Sequence, residues 1–398
     1  MSKRYDIVIG GGGMVGTSLA LALEPLGLNV AVVEAIEVTE TEQPSFDERS
    51  TALSRSTQRM FAAMGLWDEV VAASTPIRRV HVSDKGRFAF SHIDAKEQGV
   101  EALGHVVINR VLGGVLREHL AASGVTFICP DRVVSVDESD ECVVLELESG
   151  QVLETGLLVA ADGARSSLRD HLGIGVERKD YGQSAIIGNL LPERSAAGVA
   201  YERFTEDGPL AMLPIADERV AFVWVTRHAH ADELLDLDDE AFTETLHDAF
   251  GHRLGGFSKI GKRTRYPLAL SKAQRLRSSR SVLVGNAAHG LHPVAAQGFN
   301  LGLRDVAALC DCIKDAPGDV EEQLTRYASW RAKDQGTLVS ITDGLVELFR
   351  SSNPIARAGR AAGMLGFDLV PGVRKAFAKQ MMGLNGRLPR LSRGVPLE

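Results

Sequence analysis

Tyr5 to Ile9 is a short β-branched run of the kind that fills a strand covered on both faces. Met14 to Leu26 then has helical composition closed by Gly27, and Asn29 to Glu34 returns to strand, which makes a strand, glycine turn, helix and strand unit at the start of the chain. Later, "GVTFICPDRVVSVDESDECVVLELESGQVLETGLLVAADG" breaks into short strands separated by Gly, Asp and Ser turns and ends in the apolar run Leu157 to Ala161. From Tyr181 to Leu270 the texture changes. "SAIIGNLLPE", "VAYERFTEDGPLAMLPIADERVAFVWVTR" and "IGKRTRYPLAL" predict longer antiparallel strands, with a helix over Asp239 to Phe250 between them. "SVLVGNAAH" is another buried strand, and helices follow from Gln297 onward, broken at Pro317-Gly318, Asn353-Pro354 and Pro371-Gly372.

This order predicts an α/β protein in which a nucleotide-binding domain is assembled from separate segments (1–75, 105–180 and 275–345). A mostly antiparallel sheet domain (76–104 and 181–274) interrupts it, and a helical region (346–398) follows. The 398 residues, 44% of them hydrophobic, are enough for two intertwined cores. A net charge of −8 argues against nucleic acid as a partner. The charge is uneven, because Arg350 to Glu398 holds nine Lys or Arg against Asp368 and Glu398. Such a stretch, threaded with Met364, Phe367, Phe377 and Met381, suits peripheral contact with an acidic membrane or docking to a partner protein; the alternative is a helical cap with a solvated basic face. On the first of these, removing the chain after Phe349 costs membrane or partner association more than cofactor binding. The four cysteines lack framework spacing and are expected to be reduced packing residues of a cytoplasmic protein. No export signal or membrane-spanning run is expected.

Three stretches carry candidate chemistry. Gly11-x-Gly13-x-x-Gly16 lies between a strand and a helix. There Gly11 allows a tight turn, Gly13 lets the backbone approach a pyrophosphate, Gly16 permits close packing, and the helix head, with Met14 and Val15 in its first turn, favours phosphate charge. Glu34, 18 residues past Gly16 at the end of the second strand, is placed to accept hydrogen bonds from ribose hydroxyls. The second stretch is Asp162-Gly163, an acidic turn at the end of an apolar strand. The third is "VGNAAHGLHPVAAQGFNLG", where Gly285 and Asn286 end a buried strand and a helix starts over Gln297 to Phe299, its N–H groups aimed at a ligand. The eleven histidines are scattered without metal-ligand spacing, and no Gly-x-Ser-x-Gly elbow is present.

In this order the stretches resemble the single-component FAD-dependent aromatic hydroxylases with the p-hydroxybenzoate-hydroxylase fold. The resemblance spans roughly residues 4 to 345, through "GGGGMVG", Glu34, "DERSTALS", "VVINRVLGGVL", "AADGARSSLR" and "VGNAAHGLHPVAAQGFNLGLRD". Within that group, "ERSTALS", "YERFTEDGPLAMLP" and "RYPLAL" are most similar to the ubiquinone-biosynthesis hydroxylases of the 2-polyprenyl-6-methoxyphenol type. Gly285-Asn286 replaces the Gly-Asp of most relatives, and this form resembles the same branch. The resemblance implies a Rossmann-like FAD-binding domain with an inserted, mostly antiparallel substrate domain and C-terminal helices. It implies that Gly11, Gly13, Gly16 and Glu34 bind the adenosine half of FAD, that Arg49 and Arg110 contact the flavin nucleotide, and that Asp162 lies beside the dinucleotide. It places Gly285, Asn286, Gln297, Gly298, Phe299 and Asn300 at the ribityl chain and the isoalloxazine edge.

The activity implied is hydroxylation of a polyprenylated phenol by dioxygen through a C4a-hydroperoxyflavin, inside or outside a ubiquinone-biosynthesis protein complex, in the cytoplasm or peripherally at the inner membrane. Electrons come from NAD(P)H or from a partner protein. A flavin-dependent reductase or dehydrogenase of a hydrophobic substrate, and a non-catalytic FAD-fold component of an assembly, are the alternatives. For activation of the phenol, His292 and Tyr201 are the candidates advanced, with His289 and Tyr266 also considered; His289 is expected to be a loop residue satisfied by backbone groups.

Overall fold

A computed structural model describes residues 3–37, 48–86, 90–290, 297–350 and 371–398. The apolar runs form the middle of a seven-stranded sheet. Lys3–Gly10 lies between Val30–Val33 and Val152–Ala160, all parallel, with Thr126–Ile128 beyond the former. Ser281–Leu283 adds a further parallel strand against Val152–Ala160, while Val143–Leu147 and Val133–Glu138 extend the sheet antiparallel. Ile9, Val32 and Val159 stand side by side in register and are fully buried. On their side the helices Met14–Leu23, Asn109–Ala122 and Gly298–Asp315 contribute Leu19, Leu112, Leu116, Leu303 and Val306 to one core. Each such side chain contributes about 1.5–3 kcal/mol by leaving water. The first helix stops at Leu23, three residues earlier than composition suggests. Pro25 has no N–H to continue the ladder, so the chain tightens into a short 3-10 turn before Gly27 at φ +68°.

The second sheet has nine strands and is antiparallel except where Val199–Phe204 runs parallel to Arg79–Asp84. Its long strand, Val176–Pro192, pairs with Val220–Arg227 on one side and Thr264–Ala273 on the other. Alternation divides its residues between two faces. Ile186, Leu190, Leu210, Met212, Phe222 and Trp224 lie beneath the helices His228–Asp236 and Asp239–Phe250. The second of these has the bounds expected from sequence, started by Asp238, whose carboxylate accepts the Ala241 N–H at 2.8 Å. The opposite face turns towards the nucleotide-binding half. From it Asn189 donates to the Glu48 carbonyl at 3.2 Å, and Arg49 lies 4.8 Å from the centre of the Tyr266 ring. A three-stranded sheet (Ser50–Ser54, Gly104–Ile108 and Ser74–Ile77) joins the two halves.

The basic region departs from expectation. Pro371 starts a helix, Pro371–Met381, because a proline in the first turn sacrifices only an N–H that has no partner there. Ala378 and Met382 pack with Ala200 and Ala221 of the large sheet, while Leu391 and Leu397 enter the core that holds Ile7 and Leu19. Three of the cations are used inside the chain: Arg374 pairs with Glu97 at 3.1 Å, Arg390 with Asp315 at 2.7 Å, and Arg387 covers the Trp330 ring at 4.1 Å. Residues 371–398 are therefore a strap on the body. Truncation after Phe349 removes core leucines along with these cations, and emptying a buried leucine position costs about 2–5 kcal/mol. A chain ending at Phe349 is expected to be poorly soluble and low in flavin, which expression followed by a flavin-to-protein absorbance ratio checks. Among the described residues no helix is long and apolar enough to cross a membrane. The Asn353-Pro354 break lies outside the described residues.

Candidate active site

The glycine turn is built so that side chains do not fit. Gly11, at φ +105°, follows the first strand, and a Cβ there would stand 2.6 Å from the Ala161 carbonyl oxygen. A Cβ on Gly16 would stand 1.9 Å from the Gly11 oxygen. Gly13 caps the following helix in extended conformation without any side-chain bond, so the first-turn N–H groups of Met14, Val15 and Gly16 have no partner inside the helix. Glu34 is nearly buried. One of its oxygens accepts the Gly12 N–H at 2.6 Å and the other the Ile36 N–H at 2.8 Å, which fixes the carboxylate beside the turn with lone pairs left over for hydroxyl groups.

Asp162 lies next to this turn, its Cα 2.8 Å from where a Gly11 Cβ would be. Its side chain turns the other way, accepting the Ser166 hydroxyl and the Leu168 N–H at the head of the short helix Ser167–His171. Burial pushes its carboxyl above the usual range against these bonds.

Gly285 and Asn286 open a 3-10 turn at the end of Ser281–Leu283, with Gly285 at φ +58°. The two turns meet through Val15, which would lie 3.2 Å from a Cβ on Gly285. Asn286 is exposed. A fixed buried group stands behind the turn: one oxygen of Asp305 accepts the Gly285 N–H at 3.0 Å and lies 2.7 Å from His289 Nε2. The other accepts Arg331 Nε at 2.7 Å and Gln335 Nε2 at 3.1 Å. Burial raises the Asp305 carboxyl, but the charges of Arg331 and His289 outweigh it and hold the group well below the usual carboxylate range. The expected backbone partners of His289 are thus corrected: it is held by a carboxylate and braces the turn. His292 lies outside the described residues.

At the third helix, Gly298–Asp315, side chains and backbone divide the work. Gln297 is buried and donates to the Met381 carbonyl at 3.2 Å. Asn300 accepts the Ser54 N–H and the Thr57 hydroxyl, both at 2.8 Å, and donates to the Ala52 carbonyl at 2.8 Å. Its amide joins protein to protein, which leaves the backbone as the part of Asn300 available to the cofactor, as expected for a helix head. Phe299 packs at the edge of the core. The N–H groups of Gly298, Phe299 and Asn300 have no partner inside the helix, and among the described residues nothing lies within 4 Å of where a Cβ on Gly298 would be. Arg110 pairs with Glu48 at 2.7 Å, and the Asn109 N–H reaches the Arg49 carbonyl at 2.8 Å, so both arginines belong to one polar rim.

Tyr201, advanced as a catalytic candidate, lies on the sheet face away from Asn189 and Tyr266. Its ring meets Phe250 edge-on at 5.5 Å and His81 at 5.8 Å, on the helix-covered face of the large sheet. The next residue, Glu202, points to the opposite face. That face carries a registered row, Val82, Glu202, Ala211, Val223 and Ile187, one residue from each of five adjacent strands. Sequence reasoning passed over Glu202, although the alternation in "VAYERF" separates it from Tyr201.

These residues fit an FAD: glycine turns that a Cβ would obstruct, a fixed acid for ribose, and a helix head whose first N–H groups are not used within the helix. Fold and site together define an FAD-dependent aromatic-ring monooxygenase. Residues 4–333 match the family model described as "FAD binding domain". The chain is 36% identical to the ubiquinone hydroxylase UbiL of Rhodospirillum rubrum, covering 99% of this chain and 94% of that protein. It is 32% identical to 3-demethoxyubiquinol 3-hydroxylase of Escherichia coli, covering 96% and 100%. The p-nitrophenol 4-monooxygenase PnpA from Pseudomonas putida shares the fold, with a TM-score of 0.79 at 22% identity over 97% of this chain and 100% of that one. This chain belongs to the FAD-dependent ubiquinone-biosynthesis hydroxylases.

Among these family members a Gly-Asp in place of Gly285-Asn286 is expected to be tolerated. Aspartate keeps a side-chain oxygen that can accept a ribityl hydroxyl, so Asn286→Asp is expected to keep its flavin-to-protein absorbance ratio. A colourless variant would show that the amide donates a bond the cofactor needs.

Proposed function

We propose that the protein hydroxylates the ring of a polyprenylated phenol, of the 2-polyprenyl-6-methoxyphenol type, in ubiquinone biosynthesis, with NAD(P)H or a partner protein as electron donor. The observation that carries this reading is the apolar face of the large sheet. Three registered rows, centred on Val82 to Ile187 and flanked by Ala200, Leu213 and Ala221 on one side and Phe204, Val225 and Ala185 on the other, share the face from which Asn189 and Tyr266 reach Glu48 and Arg49. A prenyl chain needs a wall of that kind. The relatives UbiL and 3-demethoxyubiquinol 3-hydroxylase, named for ubiquinone chemistry, support the same class of substrate.

When bound, FAD supplies the reduction of dioxygen and the delivery of one oxygen atom to the ring. The chain's own residues set the conditions. Glu34 and the first turn after Gly13 would hold the adenosine and phosphate end. The N–H groups at the head of the Gly298 helix oppose negative charge developing at the ring end. The apolar rows exclude water from the reacting edge. The test is incubation of the FAD-loaded protein with a short-chain 2-prenyl-6-methoxyphenol, an electron donor and labelled dioxygen. One labelled oxygen atom in the product is expected; oxidation of the substrate without label would replace this reading with a dehydrogenase.

A further inference from the structure

Glu202 is an ionisable side chain set in the middle of the apolar row, between Val82 of one neighbouring strand and Ala211 of the other. Among the described residues no hydrogen bond or ion pair is made by its carboxylate. Its flanking residues along the strand on the same face are Ala200 and Phe204. The nearest ionisable residue in register on that face is Asp84, at the end of its strand, and the helix packed over this part of the sheet brings Ala378, with Arg374 already paired to Glu97. Glu202 is only half-buried by surface, yet protein surrounds it closely enough that desolvation alone pushes its carboxyl up to about 7. The two facts describe a side chain that lines an enclosed space. An unpartnered carboxylate in such a wall costs free energy that an alanine or leucine would not, so a merely structural wall has no use for it.

We propose that Glu202 is the base that receives the hydroxyl proton of the phenol during ring oxygenation. This rests on the monooxygenase reading above and names the residue that activates its substrate. The phenol O–H bond breaks, the proton forms an O–H bond with a Glu202 carboxylate oxygen, and the electron pair stays on the phenolic oxygen. Electron density rises at the ring carbons ortho and para to it, where the oxygen atom is transferred. When the oxygenated carbon gives up its hydrogen as a proton to water and the ring regains aromaticity, Glu202 returns its own proton to the phenolic oxygen and is restored. A substrate whose hydroxyl is methylated loses this interaction altogether. Near neutral pH the carboxyl is poised between its two forms, which is where a base of this kind is most effective.

The experiment uses FAD-loaded enzyme, a short-chain 2-prenyl-6-methoxyphenol and its O-methyl ether. Wild type is expected to bind the phenol in preference to the ether, and its kcat/KM to rise with pH through about 7. Glu202→Gln is expected to keep its flavin and its affinity for the ether, to lose the preference for the phenol, and to lose about 100-fold in kcat. Its remaining rate should climb instead towards the phenol's own pKa, about 10. Glu202→Asp, which withdraws the carboxylate by one methylene, should recover the neutral limb at a lower rate. Tyr201→Phe, on the other face, should leave the profile unchanged. A Glu202→Gln enzyme that keeps both the neutral limb and the phenol preference overturns the proposal. Because the binding preference is measured without turnover, a wild type that prefers the phenol but inserts no labelled oxygen would instead remove the monooxygenase reading.

Discussion

Gly16→Ala is expected to give a protein that folds poorly and purifies without flavin. A Cβ at this position would sit 1.9 Å from the Gly11 carbonyl oxygen, and that oxygen belongs to backbone with no side chain to rotate away. Relief requires moving either the glycine turn or the first helix, and both are fixed from behind. The Gly11 N–H is bonded to the Val33 carbonyl at 2.8 Å, and the helix is packed through Val15 against Gly285 and Gly302. Any shift therefore displaces the helix head that would hold the pyrophosphate. The measurement is the flavin content of the soluble fraction with and without FAD in the refolding buffer. Full flavin content in Gly16→Ala would mean that the turn is looser than its packing implies.

Asp305→Asn should have an effect of similar size by a different route. The carboxylate sits at the junction of Gly285, His289, Arg331 and Gln335, fully buried, and replacing it with an amide leaves the buried Arg331 guanidinium with only its bond to Asp334 to balance it. Removing one member of a buried pair costs about 3–5 kcal/mol, a large part of the roughly 5–15 kcal/mol that separates folded from unfolded protein. The pH dependence has a definite sign. The folded-state carboxyl is held below its unfolded value of about 3.9, so its contribution is present above that pH and is lost only as pH falls below it towards the folded value. Wild type should lose stability in acid along this limb, and Asp305→Asn should lie lower at neutral pH and show less of it. Melting curves of both proteins between acid and neutral pH test the point; equal stability at neutral pH would remove Asp305 as the brace of the Gly285 turn.

What could be read from the sequence divides along a physical line. The strands that carry the glycine turn, Asp162 and Gly285 end in apolar runs, so their positions follow from local composition, and Asp239–Phe250 follows from its cap and its amphipathic face. The rest depends on partners that are distant. Alternation places Tyr201 and Glu202 on opposite faces, but which face receives helices is decided by residues 228–250 and which faces the site by Glu48 and Arg49. Asn300 looks like a cofactor ligand because it follows the helix head, and the three partners of its side chain come from residues 52–57. The basic tail resembles a surface element because its charge is local, while the carboxylates that neutralise it, Glu97 and Asp315, and the core that takes Leu391 and Leu397 are far away in sequence.

That last arrangement affects how the protein is made. Ile7 and Leu19 are made long before Leu391 and Leu397, with which they share a core. Nascent chains lacking those last leucines are expected to carry less FAD than chains that include them, because apolar surface left uncovered favours incomplete packing.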